Sequence, residues 1–333
     1  MRRNSLLTNH EMKQLHVKIL LVLFLAGTVI PSFSRDRKTY RLELNLKENQ
    51  RFKQHTRIVM DVSQEAMGKN VEVSTDTRTE MTYLVKSVDK DLITMNFIYD
   101  NIRSITNTDM GGTKMEIDSD APLPESISAP FDLGAIYKAI TGIPVSVTMT
   151  KKGKVRSVTG TDKLSEAILS TIDTCNLPAS TGQSASQLTS QITKQFNEAS
   201  IKQQLERVSV YFPDKDVAIG DTWNIVMDGH DPYIVTANMD MKLVEVNGNI
   251  ATIEGNGTIS TPGEVFTEQP HGVQLRVNLA GTQSGIIKVD LETGLAVDAE
   301  VIFEMEGEVE TISVSEKDGE VDTRSRMSPI TIL

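Results

Sequence analysis

The chain has one cysteine, one tryptophan and only 5% aromatic residues, and each shortage closes a class of explanation. With Cys175 alone no intrachain disulfide can form, so stability has to come from a packed core. Cys175 sits in a stretch that reads as a helix end running into Pro178, with no histidine nearby in sequence to act as a base. The scarcity of aromatics argues against stacking platforms for sugars. Basic residues are outnumbered, 34 Lys and Arg against 45 Asp and Glu, for a net charge of −11. Nucleic acid and anionic membrane surfaces both demand a basic face, so neither is an expected partner. The Gly-x-Ser-x-Gly elbow, Ser-x-x-Lys, Walker loop and His-Glu-x-x-His are all missing. No enzyme, cofactor or metal signature remains, although a hydrolase with a dispersed site needs no local motif.

Long apolar runs are missing too. The run from Ile19 to Ile30 is about a dozen residues, where a membrane span needs about 20. It follows Lys13, His16 and Lys18, ends at Pro31, and leads to small residues at Ser32 and Ser34. That pattern predicts an export signal over residues 1–34, cut between Ser34 and Arg35. Either Met1 or Met12 serves as a start on this reading. No cysteine follows the leucine-rich run for acylation, so the expected product is periplasmic or secreted and has no transmembrane segment. Removing the signal leaves a charge of about −14, suited to keeping an exported protein soluble.

What the chain does have is alternation. Tyr40–Leu46 alternates apolar and polar residues, as does a series of later segments up to Ala296–Val314. Turn chemistry at 89–91, 151–153, 247–249 and 292–294 separates many of them, which is the signature of an antiparallel meander. Helical spacing is confined to the middle of the chain. One helix is expected around Phe131, Ala135, Ile136 and Ile140, closed by Gly142; a second carries Leu164, Ile168 and Ile172 behind a cap at Thr161 or Asp162. A third runs from about Ser184 to Val208, and its apolar stripe slips in phase between Ala199 and Ile201.

Three segment pairs resemble one another in the same order. Residues 44–52 lie on 215–223, placing Asn49 on Gly220 and Phe52 on Trp223. Residues 81–95 lie on 239–253, and 147–155 on 288–296 with Gly153 on Gly294. The pattern favours a duplication. The expected fold is therefore mainly β (α+β): curved antiparallel sheets forming a duplicated half-barrel, with helices inserted mid-chain. Its parts are a signal peptide (1–34), a first β unit (35–160), a helical insertion (161–212) and a second β unit (213–333).

The order of an export signal, the start Tyr40-Arg41-Leu42-Glu43-Leu44, the segment Gly142–Gly160, a helical middle and Pro213–Trp223 resembles the exported "domain of unknown function 6263" proteins typical of Bacteroidetes. More loosely, the layout is similar to the half-barrels of periplasmic lipoprotein carriers. The first resemblance implies placement and no chemistry.

Candidate sites are few. Gly220-Asp221-Thr222-Trp223 reads as a turn whose Asp binds backbone and whose Trp anchors the next strand. Asp228, His230 and Asp231 form a loop that lacks distant ligands for a metal, and His55 and His271 stand apart. The acidic clusters 118–125 and 214–221 lack the spacing of a calcium loop. A helix across a concave sheet makes an apolar pocket, and Phe131, Ile136, Ile140, Phe196 and Trp223 are its candidate lining residues. The leading expectation is a non-catalytic envelope protein that binds a lipid or another apolar ligand. A structural or protein-interaction module of the envelope is one alternative, and a hydrolase with a dispersed site is the other.

Overall fold

The computed structural model describes residues 37–66, 69–109, 113–121, 133–174, 190, 192–227, 235–261, 265–269, 273–317 and 320–332. Thirteen of its strands hydrogen-bond into one sheet, and every pairing is antiparallel. The first half of the chain supplies β2 (Arg51–Ala66), β3 (Lys69–Asp89), β4 (Leu92–Thr108), β5 (Thr113–Asp118), β6 (Val145–Thr150) and β7 (Val155–Thr159). The second half supplies β9 (Thr222–Met227), β10 (Thr236–Asn247), β11 (Ile250–Ser260), β12 (Val265–Gln269), β13 (Val273–Asp290), β14 (Ala296–Lys317) and β15 (Glu320–Ile332). Across the sheet the order is β7-β6-β4-β3-β2-β15-β14-β13-β11-β10-β9, with β5 beside β4 and β12 beside β13. Among the described residues the sheet stays open, with β7 and β9 as its ends, and does not close into a barrel. Two short strands, β1 (Thr39–Tyr40) and β8 (Val217–Ala218), pair separately.

Alternation becomes burial, as the period of two in a strand requires. On β4, Ile93, Met95, Phe97 and Tyr99 are buried while the residues between them are not. Val145, Val147 and Met149 on β6 and Ala237, Met239, Met241 and Leu243 on β10 repeat the pattern. Helices α1 (Leu133–Ile140), α2 (Asp162–Thr174) and α3 (Glu198–Val208) add their apolar stripes to the same core. Each fully buried Ile or Phe contributes about 1.5–3 kcal/mol, so this shared core is the main source of stability.

Two expectations need correction. Tyr40–Leu46 has the alternating burial of a strand, with Leu42, Leu44 and Leu46 inward, but only Thr39 and Tyr40 belong to a ladder. Its amides go to turn carbonyls instead: Leu44 N–H donates to Lys151 O at 2.7 Å and Asn45 N–H to Thr293 O at 2.8 Å. The single helix over 184–208 is interrupted. Residues 192–195 are helical, a turn follows at Phe196, and the Asn197 side chain caps α3 by accepting from Ser200 N at 2.8 Å. The slip in the apolar stripe marks that break. The export signal, Phe131, Cys175, the loop 228–231 and His271 lie outside the described residues.

One backbone arrangement occurs twice. Asn49 and Gly220 both have positive φ, at 65° and 93°. Asn49 N–H donates to Val85 O and Val85 N–H to Gln50 O; likewise Gly220 N–H donates to Leu243 O and Leu243 N–H to Asp221 O. A register shift lies at Val85/Ser87 in one stretch and at Leu243/Glu245 in the other, each followed by a tight turn with positive φ at Lys90 or Gly248. Lys151 N–H donates to Asp91 O, as Leu291 N–H does to Asn249 O. The hairpin turns at Gly153 (φ +87°) and Gly294 (φ +73°) then receive the opposite leading segment: Val210 backbone lies against Gly153, and Glu43 and Leu44 backbone against Gly294.

Candidate functional site

Three of the expected lining residues are buried in one core. Ile136 and Ile140 project from α1 with 1% and 0% exposure, and Phe196 is buried beside them in the same core. A chain of aromatic rings runs through it. Phe52 stacks on Tyr83 at 4.9 Å between centroids, Tyr83 meets Phe97, and Phe97 meets Tyr99 edge-on at 5.5 Å. Phe196 then receives both Tyr99 and Tyr137 edge-on, at 6.3 and 6.2 Å. Such edge-to-face contacts add about 0.5–1.5 kcal/mol each beyond area burial. Burial pushes the Tyr83 hydroxyl well above its ordinary range, with nearby Tyr99 adding to the effect. Leu164, Ile168 and Ile201 from α2 and α3 are also fully enclosed.

Trp223 packs against the margin of the same core. It is half-buried on β9, opposite Met241, and its Nε1–H donates to Tyr211 O at 3.1 Å. Asp221 caps the turn before it, its Oδ2 accepting from Ala218 N at 2.8 Å. The element therefore works as a turn and anchor. Beyond Trp223 the inner face of β10 and β11 carries Met241 opposite Gly255 and Met239 opposite Gly257, with each thioether lying over its glycine. Sequence reasoning missed this Met–Gly face, although two glycines two places apart on β11 hint at it.

Titratable groups gather at the surface. Arg57 pairs with Asp76 at 3.0 Å, Arg103 with Glu116 at 2.7 Å and Lys288 with Asp298 at 2.9 Å. The hydrogen bond from Arg57 holds the Asp76 carboxyl below its ordinary range, and Arg103 does the same for Glu116. Asp290 is lowered chiefly by the Thr293 hydroxyl, then by two backbone N–H groups and Asn249. His55 is exposed, with Nδ1 3.5 Å from Glu80. Among the described residues no group of three or more His, Cys, Asp or Glu side chains could hold a metal ion, and no helix is long and apolar enough to cross a membrane.

Several strands expose apolar residues instead. Ile58 and Val59 on β2 are 49% and 48% exposed, and Val301 and Ile302 on β14 are 46% and 55% exposed. Val297 on β14, Ile286 on β13 and Val226 on β9 are exposed as well. Adjacent apolar residues in a strand face opposite sides, so the Ile58-Val59 and Val301-Ile302 pairs place apolar surface on both faces. That doublet was a readable signal, set inside otherwise alternating segments.

A model of a family of unknown function, DUF6263, matches residues 89–296, well over half of the 333-residue chain. The chain belongs to this family. A comparison with curated proteins finds no match. The match on this DUF6263 chain begins at the β3–β4 turn and ends where β14 starts, so it spans the three helices and the Met–Gly face. A family of unknown function assigns chemistry to none of these residues.

Proposed function

We propose that this chain is an exported, non-catalytic module of the cell envelope that binds another polypeptide through its open sheet. The observation that carries the reading is where the apolar surface lies. The helix-covered face carries Ile136, Ile140, Leu164, Ile168 and Ile201, all buried in one core. Large exposed apolar side chains stand instead on β2, β9, β13 and β14, whose backbones already have strand geometry. Binding by strand addition draws affinity from backbone hydrogen bonds and specificity from alternate side chains. The twice-occurring turn and bulge arrangement favours two copies of one β unit, and export accounts for the N-terminal run and the acidic charge.

One observation favours an apolar small molecule or lipid as a second reading. Thioethers over glycines on β10 and β11 form a soft surface beside Trp223 that can repack around a guest. Two measurements separate the readings. A photo-crosslinker at Ile286 should yield adducts of polypeptide mass in cells, and native mass spectrometry should return the mass of the chain alone. A lipid that co-purifies at one equivalent would overturn the first reading and support the second.

A further inference from the structure

Strand β15 lies between β2 and β14 in the sheet. Its last residues pair with both: Ile332 lies opposite Val62 and Met305, and Ile330 opposite Gln64 and Gly307. Because β15 is antiparallel to each, β2 and β14 run parallel, with the width of one strand between them. That width is about 9.6 Å, two ladder spacings. Past Ile332 the two edges continue without it. Among the described residues, Arg51–Asp61 pair with β3 on one side and with nothing on the other. Ala296–Glu304 likewise pair with β13 on one side alone.

The far end of this gap is tied. Asn45 N–H bonds to Thr293 O just before β14 starts, and the same leading segment turns at Asn49 to enter β2 at Arg51. The gap is thus a slot with two strand edges for walls, β15 at one end and residues 43–50 at the other. Its walls are matched in level. Counting back from Val62 and Met305 sets Ile58 across from Val301 and Val59 across from Ile302. With Val297, they are the five exposed large apolar side chains described on the facing strands.

We infer that this slot receives a single extended peptide of about nine residues, running antiparallel to both β2 and β14 as a central strand. A buried backbone needs its N–H and C=O groups paired, and two edges one strand apart, unpaired among the described residues, offer that pairing to an extended chain alone. The guest must have both of its own edges free. An edge strand of a folded second copy, already paired on one side, cannot enter. Its inward side chains are apolar, to meet Ile58 and Val301. Its outward ones are polar and of mixed charge, because Lys53 and Arg57 flank one side while Asp298 and Glu304 flank the other.

This rests on the polypeptide-binding reading above, and the test is chosen to fail separately from it. The probe is a soluble nine-residue peptide alternating valine with lysine and glutamate in turn, added to the full chain and followed by hydrogen exchange. In free protein, alternate amides of 51–61 and 296–304 should exchange as fast as those on the outer edge of β9. Millimolar peptide should slow both sets at least tenfold. N-methylating the odd or the even positions of the peptide blocks one edge at a time, and either version should lose at least tenfold in affinity. Ile58→Lys and Val301→Lys should each weaken binding tenfold while leaving the thermal midpoint unchanged. Protection of both edges before peptide is added would mean that the chain fills its own slot, and would overturn the inference. So would an absence of protection at millimolar peptide, or indifference to one N-methyl set. A co-purifying lipid would remove the polypeptide-binding reading and leave the exchange result standing.

Discussion

Replacing Gly294 by alanine should cost far more stability than replacing Gly248, although both have positive φ. An L-residue in the left-handed region costs about 1–2 kcal/mol, and this applies equally at φ +73° and φ +58°. The surroundings differ. At Gly248 an added Cβ meets nothing within 4 Å, so the conformational cost is the whole effect. At Gly294 the Cβ would overlap the Glu43 carbonyl and lie 2.7 Å from Leu44 Cα. Backbone on both sides has to yield. Overpacking of this kind costs about 1–3 kcal/mol. Displacing the leading segment also strains the bond from Asn45 N–H to Thr293 O, worth about 1 kcal/mol. The expected losses are then about 3–6 kcal/mol for Gly294→Ala against about 1–2 kcal/mol for Gly248→Ala. Urea unfolding measures both, provided the slope is unchanged and the shift is in the midpoint. Gly153→Ala, whose Cβ would press on the Val210 carbonyl, should group with Gly294→Ala. Losses at Gly294 and Gly248 that agree within about 0.5 kcal/mol would refute the close crossing of the leading segment.

Three further outcomes are expected. Ile140→Ala, in the middle of the packed core, should destabilise by about 2–5 kcal/mol, whereas Ile58→Ala should stay within about 0.5 kcal/mol of the parent in the same urea series. Trp223→Phe keeps the ring but loses the donor to Tyr211 O, so a loss of about 1 kcal/mol is expected, and a neutral result would deny the anchor. Asp290 and Asp76 titrate below their ordinary range, so they stabilise the fold above roughly pH 4, and that stabilisation disappears as pH falls through their lowered values. Thermal midpoints should therefore drop between pH 5 and pH 2, and the drop should be smaller in Asp290→Asn.

Turns were the most legible part of this fold. Lys90, Gly153, Gly248 and Gly294 all sit in turns that sequence chemistry had marked, because positive φ selects its residues locally. The pairing of Asn49 with Gly220 was legible for the same reason. Helix α2 was readable from Leu164, Ile168 and Ile172, which all reach the core. Local signals failed where partners are remote. Tyr40–Leu46 reads as a strand, yet which groups accept its amides depends on turns more than a hundred residues away. Ile136, Ile140 and Phe196 are apolar whether they line a void or fill one, so their spacing could not tell a pocket from a core. The slot escaped notice because it is defined by the register of β15 against two strands, and register between distant strands leaves little trace in either one.

The leading segment has a consequence for how the molecule comes together. Residues 39–50 are held by Lys151, by Val217 and Ala218, and by Thr293, so the start of the domain cannot settle until its last third exists. Contacts of such separation are slow to close, since the entropy of the intervening loop is lost before any bond rewards it. A nascent chain would keep its opening stretch loose until late.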